Sequence, residues 1–535
     1  MYGLKDLFNR DLNSDYSLYN GSGTSPQPKR FKRSFVSKKT ILRLFIASIV
    51  VFSVVMLLSS SHSRHSSIAP KELVEQETVD PRLLSKHCDN PSNGKPLVQY
   101  VLMLDAGSTG SRIHVYKFNY CKSRPELEDE VFEQIKPGLS HFDSDAIGAA
   151  KSLDYLMEIA LLNVPPSLRT CTPVSVKATA GLRLLGEEKS TQILKEVRNR
   201  LVTKYPFPLA KEKDPVAVME GRDEGVFAWI TVNYLLGVLG NNGTKSAGTF
   251  DLGGGSAQIV FEPSFDSNGD TSSNHFLSES SASSSQVNDF KHKFSYNKID
   301  YKLYQHSYLG YGLMSAREKM IKKIVEDHSE SGKSEVSHPC FPPAFNKIVK
   351  SHKDESSIKV VGTKVNKSPL KSAPEVEGEG EGTTGSFEQC LSVAKSILKT
   401  SDTCHIKPCS FSGVYQPDFS ETFETNPFYI FSYFYDRTDP FKLGSEFKLK
   451  DIRNLAQKVC SHDTTLFTSP EEIKELESEK HYCLDLAYMY GLLKYGINID
   501  DNRALKTTRK INDAETGWCL GAALSLISEG GYCSA

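Results

Sequence analysis

Asp105-Ala-Gly-Ser-Thr-Gly-Ser-Arg112 and Asp251-Leu-Gly-Gly-Gly-Ser-Ala-Gln258 are the two stretches that decide how this chain is read. Each follows a run of apolar residues, 98–104 in the first case and 248–250 in the second. Each is followed by another, 113–118 and 259–261. An apolar run, a short glycine-rich turn and a second apolar run predict a β-hairpin. Both turns put an aspartate at the end of the first strand, then glycines and a hydroxyl. Free N–H groups in such a turn form an anion nest, and glycine lets them close around phosphate oxygens. A single turn of this kind also fits a plain hairpin. Two related turns predict two lobes that face one phosphate chain.

A third segment carries a candidate for chemistry. Residues 215–219 read as a strand, after which Glu220-Gly-Arg-Asp-Glu224-Gly opens an apolar helix over 226–236. Asp223 and Glu224 fall in the first helical turn, where N–H groups point outward and the dipole favours anions. Acidic capping accounts for them without any function. The alternative is a carboxylate beside two phosphate nests, a base that takes a proton from water attacking phosphorus. Lys177-Ala-Thr179-Ala-Gly181-Leu-Arg183 ends another strand, 174–176, with small residues and a guanidinium. Arg183 reads either as a surface arginine or as a phosphate clamp.

Composition bounds the rest. The chain has 535 residues and a formal net charge of −1. The bulk charge therefore gives no nucleic-acid footprint, and the length accommodates two sizeable cores. Of eleven cysteines, none forms a Cys-x-x-Cys pair. Ten can pair in an oxidising compartment, leaving one free or intermolecular. Residues 41–58 are almost wholly apolar, broken by Arg43, and predict a short transmembrane signal-anchor over 41–59. Lys29, Arg30, Lys32, Arg33, Lys38 and Lys39 precede it. The positive-inside rule makes 1–40 a cytosolic tail and sends the remainder into a lumen. A cleaved signal peptide would need an n-region beyond the usual size. The short span suits a thin early-secretory membrane. Asn242 and Asn366, in Asn-x-Ser/Thr sequons, are then glycan acceptors, and Asn20 is not.

Residues 60–97 are rich in serine, proline and charge and read as a stem. Residues 98–264 alternate apolar strands with amphipathic stretches, an α/β rhythm. Residues 264–290 and 351–386 read as long surface loops or disordered inserts, and 446–494 as helical. The dense aromatic run 428–435 reads as core or as a surface on which a base stacks.

Taken together, the segments resemble the signatures of the apyrase and nucleoside-diphosphatase family. Asp-Ala-Gly-Ser-Thr-Gly-Ser-Arg, Ala-Thr-Ala-Gly-Leu-Arg, Glu-Gly-Val-Phe-Ala-Trp-Ile-Thr-Val-Asn-Tyr-Leu and Asp-Leu-Gly-Gly-Gly-Ser-Ala-Gln stand in that family's order. A fifth, Gly517-Trp-Cys-Leu-Gly521-Ala, closes the chain where the family has Trp-x-Leu-Gly. The likeness covers residues 98–535. Within the family, Tyr304-Gln-His-Ser-Tyr308-Leu-Gly310, Phe411-Ser-Gly413-Val-Tyr415 and Phe431-Ser-Tyr-Phe-Tyr435-Asp are most similar to fungal Golgi guanosine diphosphatases. The single N-terminal span agrees with them; a second, C-terminal span as in cell-surface members is not expected.

The resemblance implies an α/β fold of two RNase-H-like lobes, as in actin and sugar kinases, with a central nucleotide cleft. One N-terminal transmembrane helix precedes it. Lobe I takes 98–218, with 505–535 returning to it, and lobe II takes 219–504. By the same resemblance Glu224 is the general base and Ser256 positions the attacking water. Gly107, Ser108, Thr109, Gly110, Ser111 and Arg112 cradle phosphate together with Gly253, Gly254, Gly255, Ser256, Ala257 and Gln258, and Thr179 is a further contact. Asp105 and Asp251 hold a divalent metal (Mg²⁺, Mn²⁺ or Ca²⁺), largely through its waters. Two positions depart from the family: Gly110 stands where cell-surface members often have histidine, and Arg222-Asp223 where many have Gln-Glu.

No lysine, cysteine or histidine is placed as a covalent nucleophile, which favours direct attack by water. The implied activity is hydrolysis of GDP, and of UDP, in the Golgi lumen, in support of mannosylation. The implied partners are those nucleotides and the Golgi membrane, without nucleic acid, and a homodimer is left open. Three alternatives stay open as well: a kinase or chaperone-like ATPase of the same superfold, a broad apyrase, and a non-catalytic lumenal nucleotide-binding protein.

Overall fold

The first glycine-rich segment closes an antiparallel hairpin between β1 (Val98–Ala106) and β2 (Ser111–Asn119), with Asp105 opposite Arg112. β1 is buried along nearly its whole length, which is why it reads as a continuous apolar run rather than an alternation. β3 (Glu126–Ile135) adds antiparallel to β2, while β4 (Val174–Ala178) and β5 (Val216–Val218) add in parallel on the other side of β1. The result is a five-stranded sheet of order β3-β2-β1-β4-β5. Leu102, Leu104 and Val176 pack there with Leu156 and Met157 of helix Asp154–Asn163 and with Ile193 and Val197 of helix Glu187–Lys204. The structure is a computed structural model and describes residues 80–92, 94–241, 243–264, 287–328, 334–350, 357–363, 386–528 and 532–533.

The second segment closes an equivalent hairpin between β6 (Gly248–Leu252) and β7 (Ser256–Phe261), with Asp251 opposite Gln258. β8 (Lys291–Tyr296) and β9 (Ile299–Leu309) form a hairpin whose β9 pairs with β7. A separate three-stranded sheet holds β10 (Glu335–His338), β11 (Asn346–Lys350) and β12 (Ser357–Gly362). β13 (Phe428–Ser432) lies parallel to β6, and β15 (Ala504–Lys506) parallel to β13, with β14 (Glu446–Lys448) at the edge. In this seven-stranded sheet the run β9-β7-β6-β13-β15 repeats the pattern of β3-β2-β1-β4-β5. The chain therefore builds the same core twice.

Two helices lie between the sheets. Helix Gly221–Leu235 leaves β5 and packs on β6, β7 and β9, and helix Cys519–Ser528 packs against it and on β1. A side chain at Gly521 would come within 2.9 Å of the Phe227 carbonyl carbon, so glycine permits the close helix contact. Trp229, fully buried, meets the Tyr301 ring edge-on at 5.4 Å.

Ten cysteines form five disulfides: Cys88–Cys121, Cys171–Cys533, Cys340–Cys390, Cys404–Cys409 and Cys460–Cys483. Cys519 is left, free and buried. One expectation is corrected. Within the stretch read as a loop over 351–386, Ser357–Gly362 is a strand, with Ile358 and Val360 turned into the core. The transmembrane segment at 41–59, most of the stem, Asn242 and Asn366 lie outside the described residues. Among the described residues no helix is long and apolar enough to cross a membrane.

Candidate active site

The two hairpin turns meet face to face. A Cβ at Gly254 would fall on the Ser108 side chain, one at Gly181 would lie 2.7 Å from Ser108 Cα, and one at Gly255 2.8 Å from Ala180 Cβ. None of Gly107, Gly110, Gly253, Gly254 and Gly255 takes a positive φ. Glycine is required here for close approach rather than for a left-handed backbone. Behind the second turn, Leu313 N–H donates to Gly253 O (2.8 Å), Met314 N–H to Gly254 O (3.0 Å) and Gly310 N–H to Gly255 O (2.7 Å). The carbonyls of the turn are thus drawn backward, away from the cleft; the Gly253 N–H closes the turn on the Ser256 carbonyl (3.0 Å). Gly312 is pressed into the same backing, 2.6 Å from Gly253 O at a built Cβ.

A cleft of about 1070 Å³ opens between the turns. Asp105, Gly107, Ser108, Thr109, Arg112, Thr179, Glu224, Asp251, Gly253, Gly254, Gly255 and Ser256 line it. Four residues of the expected phosphate cradle do not. Gly110 backs onto the Ile135 carbonyl, 2.6 Å from a built Cβ. Ser111 and Ala257 are buried in their strands, and Gln258 lies behind Ser256.

Glu224 is not a helix cap. The N-cap of helix Gly221–Leu235 is Glu220, and no side chain caps it. The buried Glu224 carboxylate instead pairs with Arg183 and accepts from Gln258 Nε2 at 3.4 Å. Gln258 Nε2 also donates to Ser256 Oγ (2.6 Å) and Ser307 Oγ (3.0 Å), and Arg183 Nη2 reaches Ser256 Oγ at 3.5 Å. Burial pushes Glu224 up to about 8; the Asp251 and Asp105 charges add to the push, and Arg183 opposes it. Asp223, its neighbour, is half-exposed and faces Arg222 at 3.5 Å. Arg183 thus takes neither of its two readings, surface arginine or phosphate clamp: its charge is spent on Glu224. Arg112 likewise lines the cleft with its charge committed to Asp105, at 2.7 Å.

The donor set fits a hard divalent cation. Asp105 Oδ1 and Asp251 Oδ1 are both buried and without a hydrogen-bond partner. Among the described residues no group of three or more His, Cys, Asp or Glu could hold a metal. Two carboxylate oxygens with water and phosphate completing the shell is the way Mg²⁺ is commonly held. Asp251 is pushed up to about 6 by burial; the Ser432 hydroxyl lowers it, Asp105 raises it and Arg112 lowers it.

The aromatic run divides between its two readings. Phe428, Phe431 and Phe434 are core, whereas Tyr433 and Tyr435 line the cleft. Sequence reasoning missed Ser307, Gly312, Ser432 and Asp436. All four sit within or beside segments it quoted, but the contacts of the first three are made across strands and could not be read from spacing.

A family model described as GDA1/CD39 (nucleoside phosphatase) matches residues 93–531. The guanosine-diphosphatase of Schizosaccharomyces pombe is 44% identical, over 86% of this chain and 80% of that protein. That of Saccharomyces cerevisiae is 44% identical, over 80% of each. The human nucleoside diphosphate phosphatase ENTPD5 is 35% identical, over 83% of this chain and 90% of that protein. A crystal structure of nucleoside triphosphate hydrolases from Neospora caninum superposes with a TM-score of 0.52 at 13% identity, covering 81% of this chain and 93% of that one, a likeness of fold alone. Two lobes of duplicated topology, with signature turns facing across one cleft, are thus joined to relatives alike over most of their length, and the chain belongs to the GDA1/CD39 nucleoside phosphatase family.

Proposed function

We propose that this chain hydrolyses nucleoside diphosphates, GDP foremost and UDP with it, to the monophosphate and phosphate by direct attack of water. The observation that carries the reading is the placement of buried Glu224 beside Ser256, between two turns built to face phosphate. The names of the fungal relatives support the substrate class.

The residues divide the work as follows. Ser256 Oγ accepts from Gln258 and Arg183, so its own proton is free to donate to the oxygen of a water in the cleft. Glu224 accepts that water's proton as the oxygen attacks phosphorus. A carboxylate whose pKa lies near neutrality takes up a proton more readily than an ordinary one. The N–H groups of the two turns face the phosphate oxygens, where charge spreads in the transition state. When bound, a divalent metal held by Asp105 and Asp251 supplies positive charge that neutralises the phosphate oxygens. Thr179 and Arg112 complete the wall.

For location we propose a Golgi-lumenal catalytic region on a single N-terminal anchor, where removal of GDP left by GDP-sugar donors would support mannosylation. The five disulfides support an oxidising compartment. The test is phosphate release from GDP by the full chain. Glu224→Gln is expected to lower the rate at least about 100-fold while GDP binding persists. Retention of more than a tenth of the rate removes the assignment of the base, and full activity in excess chelator removes the metal. A preference for ATP returns the broad apyrase in place of the diphosphatase. Digestion of the catalytic region by protease outside intact Golgi vesicles overturns the topology.

A further inference from the structure

Seven carboxylate side chains line the cleft, and the catalytic reading uses three of them: Asp105, Glu224 and Asp251. Three more are committed elsewhere. Glu475 accepts from the Tyr482 hydroxyl (2.7 Å), Glu479 pairs with Arg317 (3.0 Å) and His481 (2.6 Å), and Glu515 pairs with Arg509 (3.2 Å). The seventh, Asp436, has no hydrogen bond or ion pair among the described residues. The charges that act on it are those of Arg437, Arg509, Arg112 and Lys136. Three of these are already held, Arg437 by Asp485 (2.8 Å), Arg509 by Glu515 and Arg112 by Asp105. Asp436 is exposed, yet burial raises its carboxyl; its open side is the cleft.

Its position along the cleft follows from the backbone. β13 runs beside β6, with Phe431 opposite Asp251, and ends at Ser432 in an unusual conformation, φ 60° and ψ −120°. That bend starts helix Tyr433–Thr438 level with Asp251, to which Ser432 donates. Asp436 follows Ser432 by four residues, about one helical turn or ~6 Å further on. An unpaired anion repels phosphate, so the group it serves is a donor on the nucleoside. Tyr433 and Tyr435 line the same wall and give a flat ring a surface to lie on.

We propose that Asp436 selects the nucleobase, its carboxylate accepting the ring N–H that stands next to a carbonyl in guanine, hypoxanthine and uracil. Adenine and cytosine carry an unprotonated nitrogen at the corresponding place, and two acceptors would then face each other. One side chain would thus favour both GDP and UDP over ADP. The inference rests on the diphosphatase reading and deepens it.

The experiment measures kcat/KM of the full chain for GDP, IDP, UDP, ADP and CDP. Asp436→Ala is expected to lower the first three by about tenfold or more and to leave ADP and CDP unchanged or raised. Asp436→Asn, whose amide also donates, is expected to raise ADP and CDP. A fall of the same size on all five substrates, or no change on any, overturns the inference. So does a loss on GDP that 2′-deoxy-GDP escapes, because the carboxylate would then serve the ribose. A wild-type chain that releases no phosphate from any of the five overturns the diphosphatase reading itself, whereas an active wild type with an indifferent variant overturns this assignment alone.

Discussion

Glu224 is held between opposing forces. Burial and the Asp251 and Asp105 charges raise its pKa to about 8, and the Arg183 guanidinium lowers it. Removing the guanidinium lets the carboxyl rise further. Arg183→Gln is therefore expected to move the acid limb of the pH profile of kcat/KM to higher pH, so that the loss is largest at low pH and shrinks as pH rises. A uniform loss across the profile would mean that Arg183 acts on folding or on phosphate and not on the base. The same shift bears on stability. Between the unfolded value, near 4.5, and the folded value, near 8, the folded chain holds a proton that the unfolded chain has lost. Stability contributed by the neutral carboxyl is thus present at low pH and falls as pH rises through that window. Glu224→Gln removes the titration, and its melting temperature is expected to fall less than that of the wild type between pH 5 and pH 8. Parallel melting curves for the two proteins would refute the account.

At the scale of elements, function depends on how closely two hairpin turns and one helix start approach each other. A Cβ at Gly254 would strike Ser108 across the cleft. Gly254→Ala is expected to push the turns apart and lower kcat about 100-fold, the size of effect that a displacement of ~1 Å produces, with melting nearly unchanged. Kinetics beside a thermal melt check this, and a variant of normal kcat would show that the turns yield. Both hairpins were legible in the sequence, because an apolar run, glycines and a second apolar run need no distant partner. Glu224 was legible only as one of two readings. The choice between capping and catalysis lay in Arg183, 41 positions away, and in Gln258, 34 positions away. The strand Ser357–Gly362 was hidden because its two buried residues, Ile358 and Val360, stand in a charged stretch. The partner of Arg183 was not legible, because a guanidinium near phosphate and one near a buried carboxylate have the same local sequence.

In the whole molecule the chain leaves the first sheet after β5, builds the second, and comes back as helix Cys519–Ser528 against β1. The return is fastened at its end. Cys533 is bonded to Cys171 across 362 residues of sequence, its N–H donates to Gln99 Oε1 (3.0 Å), and Gln99 Nε2 donates to the Cys171 carbonyl (3.2 Å). Gln99 stands in β1, two strand residues before Val101 and six before Asp105, so the fastening bears on the strand that carries the first phosphate turn. A crosslink restricts the unfolded chain more when it closes a longer loop. Cys404–Cys409, with a separation of 5, is the natural comparison within the same molecule. Removing it by paired alanine substitution is expected to cost about 2 kcal/mol on the chain-entropy scale, and removing Cys171–Cys533 up to about 6 kcal/mol. The second pair of substitutions should also lower kcat, because helix Cys519–Ser528 supports both β1 and the helix that carries Glu224. Denaturation midpoints and GDP turnover for the two double variants test this together. If both variants lose the same stability and neither loses turnover, the C-terminal return does not hold the two lobes in working register.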